Sequence, residues 1–173
     1  MSRLLLIGID GMDHQFVAGH LDQLPNIRKL SAEGSLALLP SVFPPDSIPA
    51  WISIYTGLKP ADHGVVDTVD FLKKDFSSFS IDTSAFQGKT FWDEAGKAGK
   101  KVCIINPLMA YPVWSVNGLL INGPVFISGE NQAFPDGTFD KYPDCPPLGG
   151  IADLPVKGKL QEFLDKAESE TCR

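Results

Sequence analysis

Apolar runs and amphipathic segments alternate along the first part of the chain. Residues 4–9 and 35–43 are short, largely apolar runs, which are typical of strands buried on both faces of a parallel sheet. Residues 25–34 lie between them, begin with proline, end with glycine and place their apolar side chains on one face, as expected of a helix. Two successive strand–helix units predict an α/β fold with a mainly parallel sheet flanked by helices.

A further helix is predicted directly after the second apolar run. Pro44 and Pro45 end that run, because proline lacks a backbone donor and fixes φ. Ser47 then stands at the start of a helix over residues 48–55, which Thr56-Gly57 can close. A serine at this position faces unpaired N–H groups and the positive end of a helix dipole, which favours a nearby anion such as phosphate. The alternative is that Ser47 is only the N-cap of the helix.

The second part of the chain predicts more elements of the same kind and then an irregular segment. Residues 90–100 begin with a threonine, carry acids in the first turn and end in basic residues, which favours a helix. Residues 101–106 and 116–121 are apolar and predict two more strands. Residues 123–155 are rich in Gly, Pro and Asp and predict a long irregular excursion, which an amphipathic helix over 158–170 follows.

Composition and charge fit a soluble globular protein. The 173 residues are 43% apolar, which is enough for a single domain over 1–173 with its own core. The net charge of −6 argues against a nucleic-acid-binding surface, which needs a basic face. An anionic substrate would therefore have to be neutralised locally, and bound cations can do that.

Cysteine usage and the length of the apolar runs bear on the location of the protein. The three cysteines are widely spaced without a Cys-x-x-Cys pattern, so neither a disulfide framework nor a cysteine zinc site is predicted. Cys103 lies within an apolar run and is expected to be a small core residue. The run over residues 4–9 is too short to span a bilayer and no signal peptide is evident, so we expect a cytoplasmic protein without membrane contact.

Two residues carry the candidate chemistry. Asp10 follows the first apolar run, at the strand end where open α/β sheets place their ligands. Ser47 supplies a hydroxyl at a helix N-terminus. A carboxylate and a hydroxyl placed in this way suggest a metal-activated nucleophile.

Four spaced motifs resemble the type I phosphodiesterase/nucleotide pyrophosphatase family of the alkaline phosphatase superfamily. They occur in the order found in that family and are Ile9-Asp10-Gly11, Leu24 to Leu30 with Gly34, Phe43-Pro44 to Ser47 with Pro49, and Thr56-Gly57-Leu58 to His63-Gly64. The resemblance implies an alkaline-phosphatase-like α/β fold and hydrolysis of a phosphodiester or pyrophosphate linkage in a small phosphate-ester substrate. It also implies that Asp10 is a metal ligand, and that Ser47 is both metal ligand and nucleophile. Two divalent ions would be bound, with zinc expected and manganese or magnesium as alternatives.

Some positions depart from the patterns of this family and its neighbours. Thr68 stands where nucleotide pyrophosphatases carry an asparagine that holds a phosphate oxygen, and a hydroxyl has fewer donors than an amide. Thr68 is therefore a candidate substrate-binding residue, but nucleotide substrates stay open, as do phosphomonoesterase and phosphonate hydrolase activity. Sulfatases need an arginine at the position of Trp51, which disfavours that reaction.

The histidines are too few for a complete two-metal site. His63 is expected to be structural, and His14 and His20 are expected on a solvated helix or loop. Members of the family carry further aspartate and histidine ligands, including an Asp-His-Gly motif, in the second half of a much longer chain. The resemblance therefore implies the N-terminal portion of a larger domain, with an incomplete metal site and no activity of its own.

A different class of function is the alternative. The chain would then be a catalytically silent α/β fragment or interaction module, which acts through its surface or with a second chain. A truncated sheet would expose an edge or an apolar face, which also predicts self-association.

Overall fold

The computed structural model describes residues 3–66, 83–123 and 132–141, together with residues 161, 162 and 165. In this part of the chain most helices come first, and three short strands follow in succession before a last helix. The helices are α1 (His14–Gly19), α2 (Pro25–Glu33), α3 (Ser47–Thr56), α4 (Pro60–His63), α5 (Phe91–Lys97) and α6 (Thr138–Lys141), with a 3-10 turn at Thr83–Ala85. The strands are β1 (Val102–Ile105), β2 (Gly118–Ile121) and β3 (Ala133–Phe134).

The three strands form a mixed sheet in the order β1-β2-β3. β1 and β2 are parallel, with Val102 opposite Gly118 and Ile105 opposite Ile121. β3 is antiparallel to β2, with Ala133 opposite Ile121. The α/β class and the two strands expected from residues 101–106 and 116–121 are thus confirmed, while the described sheet is mixed instead of mainly parallel.

The prediction of buried strands over residues 4–9 and 35–43 is wrong for the described structure. Neither segment forms a strand. Their side chains face solvent, with Leu4 88% and Leu39 84% exposed. A continuous apolar run is stable as a central strand only where neighbouring strands pair with it and both faces are covered. Neither condition is met within the residues that the structure describes.

The core is an aromatic cluster between α3, α5 and the loop before β2. Tyr55 of α3 packs edge-on against Trp92 of α5, with ring centroids 4.9 Å apart. Trp92 stacks on Trp114 at 6.1 Å. Ile48 and Ile52 complete the buried face of α3, and burial of one such side chain stabilises the fold by roughly 1.5–3 kcal/mol. This packing holds α3 firmly while its N-terminal end stays at the surface.

α5 begins as its sequence predicts and ends early. Thr90 is the N-cap, and its hydroxyl and the Asp93 carboxylate form a reciprocal capping box. The helix stops at Lys97 instead of continuing to residue 100, because Gly99 adopts a left-handed φ of 73°.

Cys103 is exposed on β1, so the expectation of a core cysteine is wrong. That side of β1 is uncovered by the described residues.

Several predictions fall wholly or partly outside the described residues. β3 and α6 are short elements inside the segment 123–155, which was expected to be irregular. Residues 161, 162 and 165 are helical, within the helix expected over 158–170. The domain limits stay predictions. Among the residues described, none of the helices combines the length and apolar character that crossing a bilayer requires.

Candidate functional site

The N-terminus of α3 is capped by Asp46. Asp46 has an extended backbone, and its carboxylate accepts a hydrogen bond from the N–H of Ile48 at 3.0 Å. Ser47 is therefore the first residue inside the helix, and the alternative that it serves only as the N-cap is wrong. Pro49 lies in the same first turn, where its missing N–H leaves no helical hydrogen bond unmade. The Ser47 hydroxyl is left available for another partner.

That partner is Asp10, 37 residues earlier in the chain. The Ser47 hydroxyl donates to Asp10 Oδ1 at 3.1 Å and lies 3.3 Å from Oδ2. Asp10 sits in a turn that Gly11 completes with a positive φ of 68°, a conformation that favours glycine. Both residues are exposed. The two candidate residues thus meet at the protein surface, where a ligand can reach them.

Trp51 is a third member of this group that the sequence patterns did not predict. Its indole Nε1–H donates to Asp10 Oδ1 at 3.2 Å. The available signal was its spacing, because residues four apart on a helix lie on the same side. Trp51 therefore follows Ser47 by one helical turn, and both side chains meet the same carboxylate.

The Asp10–Ser47 pair has the chemistry and spacing of two ligands of one divalent cation. Oxygen ligands about 2.0–2.2 Å from a metal ion are roughly 3.0–3.5 Å apart in tetrahedral or octahedral geometry. The separations of 3.1 and 3.3 Å between Ser47 Oγ and the Asp10 oxygens fit that range. Within the described ranges, however, there is no cluster of three or more His, Cys, Asp or Glu residues able to hold a metal ion. The pair therefore fits as part of a metal site.

His63 is engaged within the protein through both ring nitrogens. Its Nδ1 accepts a hydrogen bond from the N–H of Val65 at 3.2 Å, so the proton of the neutral ring lies on Nε2. Nε2 lies 3.0 Å from the hydroxyl of Ser53, to which it donates. Burial lowers the pKa of His63, against a backbone hydrogen bond with Pro49 and the charge of Asp62. These contacts fit the structural role expected for this histidine.

The remaining candidate residues are two histidines and a threonine. His14 begins α1, and His20 follows it. His20 donates from Nδ1 to the carbonyl oxygen of Phe16 at 2.7 Å and stacks on the Phe16 ring. Thr68, the candidate substrate-binding residue, lies outside the described residues.

Tyr55 lies beneath the site and stays neutral over a wide pH range. Burial raises the pKa of its phenol well above the usual value, and the negative charge of Asp10 acts in the same direction. A backbone hydrogen bond with Leu108 only partly offsets these effects on the pKa. Tyr55 thus links the charged surface pair to the aromatic core without contributing a charge.

The fold and the site define a class of protein: an α/β protein with a serine beside a carboxylate at the N-terminus of a helix that packs on the core. The chain belongs to the type I phosphodiesterase / nucleotide pyrophosphatase family, whose sequence profile matches residues 4–169. This match confirms the family that the four motifs indicate.

Individual relatives are distant and much longer. The chain is 28% identical over 127 residues to ectonucleotide pyrophosphatase/phosphodiesterase family member 3 of Mus musculus, covering 69% of this chain and 14% of the relative. It is 29% identical over 147 residues to venom phosphodiesterase 2 of Crotalus adamanteus, covering 78% of this chain and 17% of the relative. The chain thus spans less than a fifth of the length of these relatives. No solved structure matches it significantly.

Proposed function

We propose that the chain contributes the nucleophile and one metal ligand to a hydrolase that cleaves a phosphodiester or pyrophosphate linkage. The 3.1 Å contact between Ser47 Oγ and Asp10 Oδ1 carries this proposal. Membership of the type I phosphodiesterase / nucleotide pyrophosphatase family supports it. The names of the relatives, a nucleotide pyrophosphatase/phosphodiesterase and a venom phosphodiesterase, agree with this reaction class.

Ser47 is the attacking group in the proposed reaction. Its Oγ forms a bond to phosphorus while the bond from phosphorus to the leaving oxygen breaks, which yields a phosphoseryl ester and an alcohol or phosphate. The proton of the hydroxyl passes to solvent, and water then hydrolyses the ester. The exposed position of Ser47 and the positive end of α3 favour binding of an anionic phosphate here.

Asp10 and Ser47 would hold one of two divalent ions, zinc by expectation, with manganese or magnesium as alternatives. Such an ion lowers the pKa of a coordinated hydroxyl and offsets negative charge on the phosphoryl oxygens. A net charge of −6 makes that compensation necessary for an anionic substrate. Further ligands are needed beyond the two described, and we therefore propose that the chain is the N-terminal portion of a larger domain and is inactive alone.

The second candidate is a catalytically silent fragment or interaction module. The lack of a three-residue metal cluster within the described ranges favours it. Extensive exposed apolar surface favours self-association. Other features also stay proposals. They are phosphomonoester or phosphonate substrates, a substrate-binding role of Thr68, and a cytoplasmic location.

Two measurements separate the candidates. Calorimetry of the 173-residue chain with zinc should show weak binding that depends on Asp10, whereas binding unchanged in Asp10→Ala would remove Asp10 from the site.

Hydrolysis of an aryl phosphodiester should be measured in any longer protein that contains the chain. Ser47→Ala should abolish turnover and the phosphoseryl adduct seen by mass spectrometry. The matched control Ser53→Ala removes a serine hydroxyl from the same helix and should retain both.

A further inference from the structure

One carboxylate oxygen receives two hydrogen bonds from a single helix. Ser47 and Trp51 lie one turn apart on α3, and their donors are 3.1 and 3.2 Å from Asp10 Oδ1. A carboxylate has about four acceptor sites, so both donors leave room for a cation on the same group. The hydrogen bonds from Ser47 and from Trp51 are expected to respond differently to the attack of Ser47 on phosphorus.

The Ser47 contact cannot persist through the proposed reaction. Once Ser47 Oγ bonds to phosphorus it has lost its proton and can no longer donate to Asp10. The indole of Trp51 is a donor only and does not titrate at accessible pH. Its bond to Asp10 can therefore be kept before, during and after the attack by Ser47.

Trp51 also contacts the segment that delivers Asp10. A β-carbon placed on Gly8 would lie 2.4 Å from Cη2 and 2.8 Å from Cζ3 of the indole. The ring therefore lies directly against the backbone of residue 8, a contact that only glycine allows without displacement. The indole also lies near the ring of Tyr55, with centroids 6.0 Å apart. Trp51 thus bridges the aromatic core and the Asp10 segment.

This bridge matters because the segment has little other support. Residues 4–9 form no strand ladder within the described structure. Among all the residues that the structure describes, the side chains that form hydrogen bonds to the Asp10 carboxylate are those of Ser47 and Trp51. A carboxylate on an unpaired surface segment would otherwise sample many orientations. The conformational entropy lost when a cation fixes one of them would weaken cation binding.

We propose, building on the proposed function, that Trp51 is a positioning residue. Its N–H and ring hold the Asp10 carboxylate in the orientation that binds the cation, independently of the state of Ser47. Residues that orient metal ligands in this way typically change metal affinity by about 10–100-fold when they are removed.

The chain contains a matched control. The indole of Trp114 donates to Asp93 Oδ1 at 2.9 Å, but this pair is buried in the core. Trp51→Phe and Trp114→Phe each keep an aromatic ring and remove one indole–carboxylate hydrogen bond. Only the first should alter cation binding, whereas the second should lower the melting temperature more.

Two NMR readouts on the 173-residue chain test the proposal. Asp10→Asn should shift the indole ¹H–¹⁵N resonance of Trp51 and leave that of Trp114 unchanged, and Asp93→Asn should do the reverse. Added Mn²⁺ should broaden the Trp51 resonance first, and Trp51→Phe should weaken Mn²⁺ binding, measured by water relaxation, on the order of tenfold. Gly8→Ala, which displaces the indole, is a second variant and should weaken Mn²⁺ binding likewise.

The outcomes separate the two proposals. An unchanged Trp51 resonance in Asp10→Asn, or equal Mn²⁺ affinity in wild type and Trp51→Phe, overturns the positioning role and leaves the proposed hydrolase intact. If the Trp51 resonance shifts but wild type binds no Mn²⁺, the contact stands, whereas the metal site and a role for Trp51 in cation binding are both refuted.

Discussion

Asp46 caps α3 through a hydrogen bond from the N–H of Ile48 to its carboxylate, at 3.0 Å. This contact separates two tasks that a serine at a helix start could have combined. Asp46 satisfies the helix end, so Ser47 can direct its hydroxyl toward Asp10. Stability and chemistry at this helix terminus are therefore expected to respond to different substitutions.

Asp46→Ala should destabilise the protein by about 1 kcal/mol, because it removes the N-cap of α3. Ser47→Ala should change the free energy of unfolding by less than about 0.5 kcal/mol, because its hydroxyl is exposed and does not cap the helix. Urea unfolding of both variants measures the difference. A Ser47→Ala protein as unstable as Asp46→Ala would show that Ser47 supports the helix after all.

The sequence could predict local elements but could not predict which of them pair. The runs over 101–106 and 116–121 yield β1 and β2, which pair in parallel register. Residues 4–9 have the same apolar pattern yet stay unpaired and exposed. A continuous apolar pattern is compatible with a strand, whereas pairing depends on partners distant in the chain. The mixed sheet could therefore not be deduced from the strands alone.

The site shows the same division. Asp10 and Ser47 could be predicted as candidates because each belongs to a spaced motif, Asp10 after an apolar run and Ser47 at a helix start. Trp51 was not, because its bond to Asp10 spans 41 residues and its ring was assigned no polar role. Thr68 was suggested by resemblance and lies outside the described residues. Side-chain contacts between distant segments require the tertiary arrangement, which a helix or strand pattern does not contain.

A second network, around Asp93, should control the stability of α5. Asp93 accepts hydrogen bonds from Thr90 and from the buried indole of Trp114. Asp93→Ala should cost about 2–4 kcal/mol, since it removes a capping box and leaves a buried donor unsatisfied. Glu94→Ala is the control on the same helix, because its contact with Lys97 is exposed and should contribute less than about 0.5 kcal/mol. Equal effects of the two substitutions in urea unfolding would contradict the buried network.

Alkaline pH should destabilise the protein through Tyr55. Burial raises the pKa of this phenol above its unfolded value of about 10, so the folded state holds the proton more tightly. The resulting stabilisation is complete below about pH 10 and is lost as the pH rises toward the folded pKa. Urea unfolding between pH 8 and roughly pH 11 should show this decline, and Tyr55→Phe should reduce it. Tyr111→Phe serves as the control, and an equally steep decline in Tyr55→Phe would remove Tyr55 as its cause.

Acid pH should act through His63. Burial lowers the pKa of this histidine below its unfolded value of about 6.5, so its stabilising effect is present above that pH. The effect is lost as the pH falls toward the folded pKa, because the charged ring loses its acceptor nitrogen for the Val65 N–H. Stability measured from pH 7.5 to roughly pH 5 should decline less in His63→Gln than in wild type. A wild-type slope in His63→Gln would assign the decline to other groups.

The exposed apolar segments should make the isolated chain associate with itself. Leu5 is 81% and Leu39 84% exposed, and both belong to runs whose composition suits a buried strand. Apolar surface of this kind, with unpaired backbone beside it, favours contact with a second copy. Light scattering across a concentration series should show oligomers that Leu5→Lys and Leu39→Lys together dissociate. Gln87→Lys adds a charge at an exposed polar position and should not. A monomer at every concentration would refute the prediction, and oligomers unaffected by the leucine substitutions would place the interface elsewhere.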